Sequence, residues 1–195
     1  MRPTDLLLLL AAAARAGDVE ERVATIVASL TRQEKLELMN GAGWDQWDIR
    51  DGYYVGNLNG APAKGLPPLK MHDAGQGFRT HDPRVVGTVT SWPCALALAS
   101  TFDRSSVTAF ATAAATEFRA KGANVILGPG LNVHRVARGG RNAEYLSGED
   151  PVLGAQLASS YVAAFHSNGI MTVAKHYGFN QQETRRNTYD ALVDA

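Results

Sequence analysis

Asp73, Arg141, Lys175 and His176 are the residues best suited to chemistry, because each follows a short apolar segment and has glycines or other polar groups beside it. Asp73 lies in His72-Asp73-Ala74-Gly75-Gln76-Gly77-Phe78-Arg79. A carboxylate beside glycines, where backbone can approach closely, suits bidentate hydrogen bonding to sugar hydroxyls. An Asx-turn that stabilises the loop explains the same residues equally well. Arg141 lies in Gly139-Gly140-Arg141-Asn142-Ala143-Glu144-Tyr145. A guanidinium offers a rigid fork of donors that can hold hydroxyls or a carboxylate in plane. By residue type alone, a structural ion pair with Glu144 or Glu149 is the somewhat better account of it. Glu149 and Asp150 precede Pro151 and fit a helix N-terminus, where acidic groups are favoured. Lys175-His176 closes an apolar stretch. Neighbours along a strand point to opposite faces, so both reach one ligand only if the backbone turns there.

Other chemistries find little support. His72, His81, His134, His166 and His176 show no paired metal spacing and no thiolate cluster accompanies them, so neither zinc nor any other cofactor is expected. Asp45, Asp48 and Asp51 are spaced by three rather than by the two that a calcium loop needs. There is no nucleophile elbow, phosphate-binding loop or dinucleotide fingerprint. Nineteen basic and nineteen acidic residues cancel, and the arginines are scattered, which excludes the basic surface of a nucleic-acid binder. Hydrophobic content of 45% and charged content of 19% suit a globular chain with a buried core. The lone Cys94 is expected to pack, or to pair outside the chain.

The elements that must position these residues can be traced along the 195-residue chain. Val19, Val23, Ile26, Val27 and Leu30 recur at helical spacing and predict an amphipathic helix. Thr31-Arg32-Gln33-Glu34 is a capping-box pattern opening a second helix that closes near Gly41. Residues 41–68, rich in Gly, Asn and Pro and containing Trp44 and Trp47, are expected to form one long loop. Leu69 to Met71 predicts a strand running into His72-Asp73. Asp103 caps a helix whose apolar face is Val107, Phe110, Ala111, Ala114, Ala115 and Phe118, ended by Gly122. Asn124 to Leu127 predicts the next strand, Asp150-Pro151 the next helix, ending at Gly169, and Ile170 to Ala174 a third strand. Short strands alternating with helices argue for parallel βαβ units, with ligands bound where the strands end. A complete eight-unit barrel takes about 250 residues. Three or four units are visible here, so the expected fold class is α/β, either a small open sheet or part of a (β/α)8 TIM-like barrel.

The first residues differ from the rest. Arg2 precedes an apolar run from Leu6 to Ala14, followed by the small-x-small pattern Ala14-Arg15-Ala16. This reads as a secretory signal over 1–16, leaving 17–195 as the domain; an N-terminal amphipathic helix is the alternative. The run is too short for a bilayer, which needs about 20 apolar residues, so no membrane partner is expected.

Taken in order, several stretches resemble the N-terminal barrel domain of glycoside hydrolase family three, the β-glucosidase type. They are Leu66-Pro67-Pro68-Leu69-Lys70-Met71-His72-Asp73, Gly75-Gln76-Gly77-Phe78-Arg79, Thr90-Ser91-Trp92-Pro93 and Lys121-Gly122-Ala123-Asn124. They continue with Leu127-Gly128-Pro129-Gly130, Gly140-Arg141-Asn142, Glu144-Tyr145 and Ser147-Gly148-Glu149-Asp150-Pro151. Ala174-Lys175-His176-Tyr177, Asn180 and Glu183 complete the series. The resemblance implies that Asp73, Arg141, Lys175 and His176 hold the non-reducing sugar of a β-glucoside or β-glucan oligosaccharide, with Arg79 supporting them less directly. It also implies a retaining mechanism using two carboxylates. In the family the nucleophile is an Asp, usually beside a Trp, well beyond the Lys-His pair, and the acid/base belongs to a later domain. Neither motif occurs here, so both groups are expected beyond residue 195, and the chain is expected to bind without carrying the catalytic pair. A non-catalytic carbohydrate-binding fragment and a non-functional truncation are the alternatives. Tyr177-Gly178-Phe179-Asn180 departs from the Pro-Gly-His that follows Lys-His in bacterial cell-wall hexosaminidases. Ala74-Gly75 departs from the commoner Gly-Pro.

Overall fold

The computed structural model describes residues 17–42, 44–45, 48–49, 54–73, 75–79, 82–178 and 180–192. The leader reading over 1–16, and Trp47, Asp51, Ala74, His81 and Phe179, lie outside the described residues. The chain divides into two compact units, one of residues up to 42 plus 57–69, the other of 43–56 plus 70 onward.

In the first unit, residues 17–29 form helix α1 and Arg32–Met39 form α2. The capping box that opens α2 is present on both sides: Thr31 accepts from the Glu34 amide, and the Glu34 side chain accepts from the Thr31 amide at 2.7 Å. The apolar stripe of α1 behaves differently from expectation. Val19, Val23 and Val27 stay 50%, 48% and 46% exposed, and only Leu30, just past the helix, is buried. Periodicity fixed the helix but not a partner for its face. Lys64, in the 3-10 turn Pro62–Lys64, ties this unit together through Glu34 and the Ser29 carbonyl.

The stretch 41–68 is not one loop. Trp44–Asp45 (β1) pairs antiparallel with Asp48–Ile49 (β2), and Gly56–Leu58 forms β3. Strands this short leave no alternation for a sequence pattern to register.

The second unit contains, from Lys70 onward, the parallel strands that position the site. Leu69–Asp73 (β4), Val125–Leu127 (β5) and Met171–Thr172 (β6) are parallel neighbours, with Met71 opposite Val125 and Val125 opposite Met171. Between them lie the short helix Ala95–Ala99 (α3), which no sequence pattern marks, and two long helices, Arg104–Ala120 (α4) and Pro151–Ser167 (α5). Each long helix carries strand to strand, as a parallel crossover requires. The expected third strand is shorter than 170–174; its ladder stops at Thr172, and pairing resumes only where Lys175 bridges Gly130. All six residues read as the apolar face of α4 are buried, joined by Leu157, Tyr161 and Phe165 of α5 and Ile126 of β5. Cys94, a half-buried free thiol, precedes α3.

Asp103 starts α4 as intended, accepting from the amides of Ser105 and Ser106. Hydrogen bonds from the Ser106 and Ser105 hydroxyls and from those amides hold its carboxyl well below the ordinary Asp value of 3.8. A lowered native pKa stabilises the fold above the unfolded value and loses that contribution as pH falls through the native one. Asp103→Ala is therefore expected to lower Tm at pH 7, with the gap from the parent narrowing below pH 3.8. Thermal melts at neutral and strongly acidic pH check this; a gap that widens in acid would contradict it.

Candidate functional site

The carboxyl-terminal end of β4, the segment around Arg141 and the segment after β6 border one cleft of about 680 Å³. Its lining includes Asp73, Gly75, Gln76, Arg79, Arg141, Glu144 and Lys175. Asp73 is the last residue of β4. Its Oδ2 accepts from Arg79 Nη1 at 2.6 Å, and its Oδ1 lies 3.7 Å from Lys175 Nζ. The carboxylate thus faces two cations rather than its own backbone, which removes the Asx-turn account.

His72 brings Arg79 to that position. It is fully buried, and its ring stands edge-on to Phe78 with centroids 3.9 Å apart. The Asp73 amide donates to its Nδ1 at 3.0 Å, so the proton sits on Nε2, which donates to the Arg79 carbonyl at 3.1 Å. The loop is thereby tied to its own strand. Gly77 permits the return: its φ is +125°, and a Cβ there would lie 2.4 Å from the Thr90 carbonyl oxygen. Nothing in the spacing of His72 marks this role, because the ring's partners are set by where the loop returns.

Arg141 enters the cleft from the residue before the 3-10 turn Asn142–Glu144. Its Nε and Nη2 donate to Glu144 Oε2 at 2.9 and 2.7 Å, and its Nη1 lies 3.7 Å from Glu183 Oε2. The ion pair weighed from the sequence is present, but it sits in the cleft wall instead of replacing a site. Lys175 Nζ reaches the other Glu144 oxygen at 2.5 Å. Burial pushes the Glu144 carboxyl up, but hydrogen bonds from Lys175 and Arg141, with their charges, outweigh it and hold it below the usual range. Burial disfavours the Arg141 cation, and the Glu144 hydrogen bond and charge more than restore it. Arg141 and Lys175 are sheltered, whereas Arg79 is half-exposed.

His176 does not line this cleft. The Lys175–His176 peptide bond is cis. The His176 amide donates to Asn132 Oδ1 at 2.9 Å, and its ring lies edge-on to Tyr145, with Nδ1 3.4 Å from the hydroxyl. Four of the five expected residues therefore come together, and the fifth packs beside them. Burial, then the positive charges of Arg141 and Lys175, depress the imidazole pKa below 6.5, so it is neutral at pH 7. Arg141→Gln removes one of those charges, and the His176 pKa is expected to rise. An NMR titration of the imidazole Cε1 proton checks this; an unchanged or lower value would contradict it. Among the described residues no group of three or more His, Cys, Asp and Glu side chains converges as a metal site.

This cradle can grip hydroxyls from several sides at the end of a parallel sheet, where α/β folds bind ligands. Residues 61–189 match the glycosyl hydrolase family 3 N terminal domain. The chain belongs to glycosyl hydrolase family 3. Curated family 3 relatives include β-glucosidase B of Emericella nidulans, 36% identical over 88% of this chain and 19% of the relative. Probable β-glucosidase M of Aspergillus fumigatus is 40% identical over 83% of this chain and 20% of the relative. The chain thus spans about one-fifth of the length of these curated relatives. Among solved structures, β-glucosidase 3B of Thermotoga neapolitana in complex with glucose superposes with a TM-score of 0.72 at 33% identity, covering 83% of this chain and 24% of that one. The β-glucosidase DesR of Streptomyces venezuelae, in complex with D-glucose, gives a TM-score of 0.72 at 33% identity over 84% of this chain and 20% of that one. The two parallel crossovers are therefore part of the family 3 barrel.

Proposed function

We propose that this chain forms the sugar-gripping part of a family 3 β-glucosidase of the secretory pathway, with residues 1–16 as leader and 17–195 as barrel segment. In this reading Asp73, Arg141 and Lys175 hold the hydroxyls of a terminal β-glucosyl unit, Arg79 steadies Asp73, and His176 borders the site as a neutral ring. The observation that supports it is the convergence of these charged groups on one cleft of about 680 Å³, within the range usual for small-ligand sites. The glucose complexes of the β-glucosidases from Thermotoga neapolitana and Streptomyces venezuelae support the choice of sugar. No helix among the described residues is long and apolar enough to cross a membrane.

Binding is separate from cleavage. A retaining glycosidase needs a free carboxylate to attack and a second, protonated carboxyl to donate. Asp73 is engaged by Arg79 and Lys175, and the lowered pKa of Glu144 leaves it ionised at neutral pH. Neither suits the proton donor, and in this reading both are binding groups rather than the reacting pair. The chain is expected to bind methyl β-glucoside without hydrolysing an aryl β-glucoside. Calorimetric titration and a chromogenic assay on the 195-residue chain test the two halves. Failure to bind, or turnover abolished by changing one of its own carboxylates, would overturn the proposal.

A further inference from the structure

Among the described residues, Glu144 is the one acidic group that touches both sheltered cations of the cleft. Its Oε2 takes Arg141 Nε and Nη2, and its Oε1 takes Lys175 Nζ. The two partners arrive from different parts of the fold, Arg141 from beside the same 3-10 turn and Lys175 from the segment after β6, so the carboxylate is the joint between them. Gly75 stands so near that an added Cβ would lie 3.2 Å from Glu144 Cγ, tight enough that the side chain would have to give.

The charge balance of the cleft depends on this group. Among the described residues, three cationic side chains, Arg79, Arg141 and Lys175, and two anionic ones, Asp73 and Glu144, line it. Neutralising Glu144 leaves three cations against one anion. Glu183 offers only a distant second partner, 3.7 Å from Arg141 Nη1 and itself held by Arg186 at 2.9 Å. Removing one member of a sheltered pair leaves the other charge uncompensated. An uncompensated guanidinium and ammonium side by side form a carboxylate site, since a guanidinium fork matches a carboxylate in plane.

We infer that Glu144 is a positioning and specificity-determining residue: it fixes Arg141 and Lys175 as hydroxyl donors and neutralises them, so that the cleft takes a neutral pyranose and rejects a hexuronate. The inference rests on the cleft being a sugar site, as proposed above. A neutral sugar needs aligned donors and no counter-charge. A sugar whose C6 is a carboxylate meets cations already satisfied by Glu144, and the negative charges of Glu144 and Asp73 besides. Specificity is the difference between the two affinities, and one carboxylate sets its sign.

The test titrates the full chain at pH 7 with methyl β-D-glucoside and with methyl β-D-glucuronide by ligand-observed NMR, for the parent, Glu144→Gln, Glu144→Asp and Gly75→Ala. The parent is expected to favour the glucoside. Glu144→Gln is expected to shift the glucuronide-to-glucoside affinity ratio upward by about tenfold or more, as a sheltered cation pair becomes available. Glu144→Asp keeps the charge and should keep the preference for the glucoside, with weaker binding. Gly75→Ala, which crowds Glu144 without altering any charge, should move the ratio the same way by less, and it decides the matter if Glu144→Gln does not fold. An unchanged ratio in Glu144→Gln or, where that variant is unfolded, in Gly75→Ala assigns Glu144 a purely structural role and overturns the inference alone. A parent chain that binds neither sugar overturns the sugar site itself, and the inference with it.

Discussion

Phe118→Ala should remove a large share of the stability of the second unit. Phe118 is 1% exposed, at the centre of an aromatic group in which its ring meets Phe78 at 5.1 Å and Phe165 at 6.2 Å, both edge-on. His72, which ties the Asp73 loop to its strand, lies 6.4 Å away in the same group. Truncating a buried phenylalanine to alanine costs about 3–5 kcal/mol, combining lost transfer energy with the cavity left behind. Against a domain stability of about 5–15 kcal/mol, that is a large share. Because Phe78 and His72 lean on the same ring, the damage should reach the cleft: the loop from 75 to 79 loses its packing before the helices melt. Chemical denaturation checks the loss of stability, and the variant should also bind sugar more weakly while still folded at low temperature. A midpoint within error of the parent would contradict the packing described here.

Asp73→Ala should weaken sugar binding more than any other single change in the cleft wall. The carboxylate is presented at the end of a strand, 30% exposed, with one oxygen on Arg79 and the other toward Lys175. It therefore offers a hydroxyl group charge-assisted acceptors, each bond worth about 1.5–3 kcal/mol, or roughly ten- to a hundredfold in affinity. Its loss also frees Arg79 and leaves Lys175 held by Glu144 alone. Calorimetry with methyl β-glucoside reads the effect. Asp73→Asn should fall between, since an amide retains one acceptor and turns the other position into a donor facing a cation. Equal affinity in parent and alanine variant would remove Asp73 from the site.

Local patterns made much of this fold legible from sequence. The face of α4 follows from helical spacing, and Asp103, Thr31 and Asp150 cap their helices because short-range hydrogen bonding to the next amides needs no tertiary partner. The parallel pairing of β4, β5 and β6 follows from strands alternating with helices. The remainder was hidden for physical reasons. α3 is five residues of Ala and Leu, too short for a period to show. β1 and β2 are two residues each. The exposed stripe of α1 looks in sequence like any core-facing stripe, because a pattern records amphipathicity and not its partner.

The site divides along the same line. The pairing of Arg141 with Glu144 lies within one turn and could be weighed in advance. The pairing of Glu144 with Lys175, and of Arg79 with Asp73, depends on where separate loops return, which neither spacing nor residue type encodes. For the same reason His176 could be named beside Lys175, yet its ring packs on Tyr145 outside the cleft lining. Resemblance to a family supplied the residues; the geometry supplied which of them share a wall.

The most direct measurement is a crystal structure of this chain grown with saturating glucose. The expected result is one pyranose in the cleft, with hydroxyl oxygens within about 3 Å of Asp73, Arg141 and Lys175. Well-ordered side chains around a cleft holding no sugar, or a sugar bound elsewhere on the surface, would contradict it.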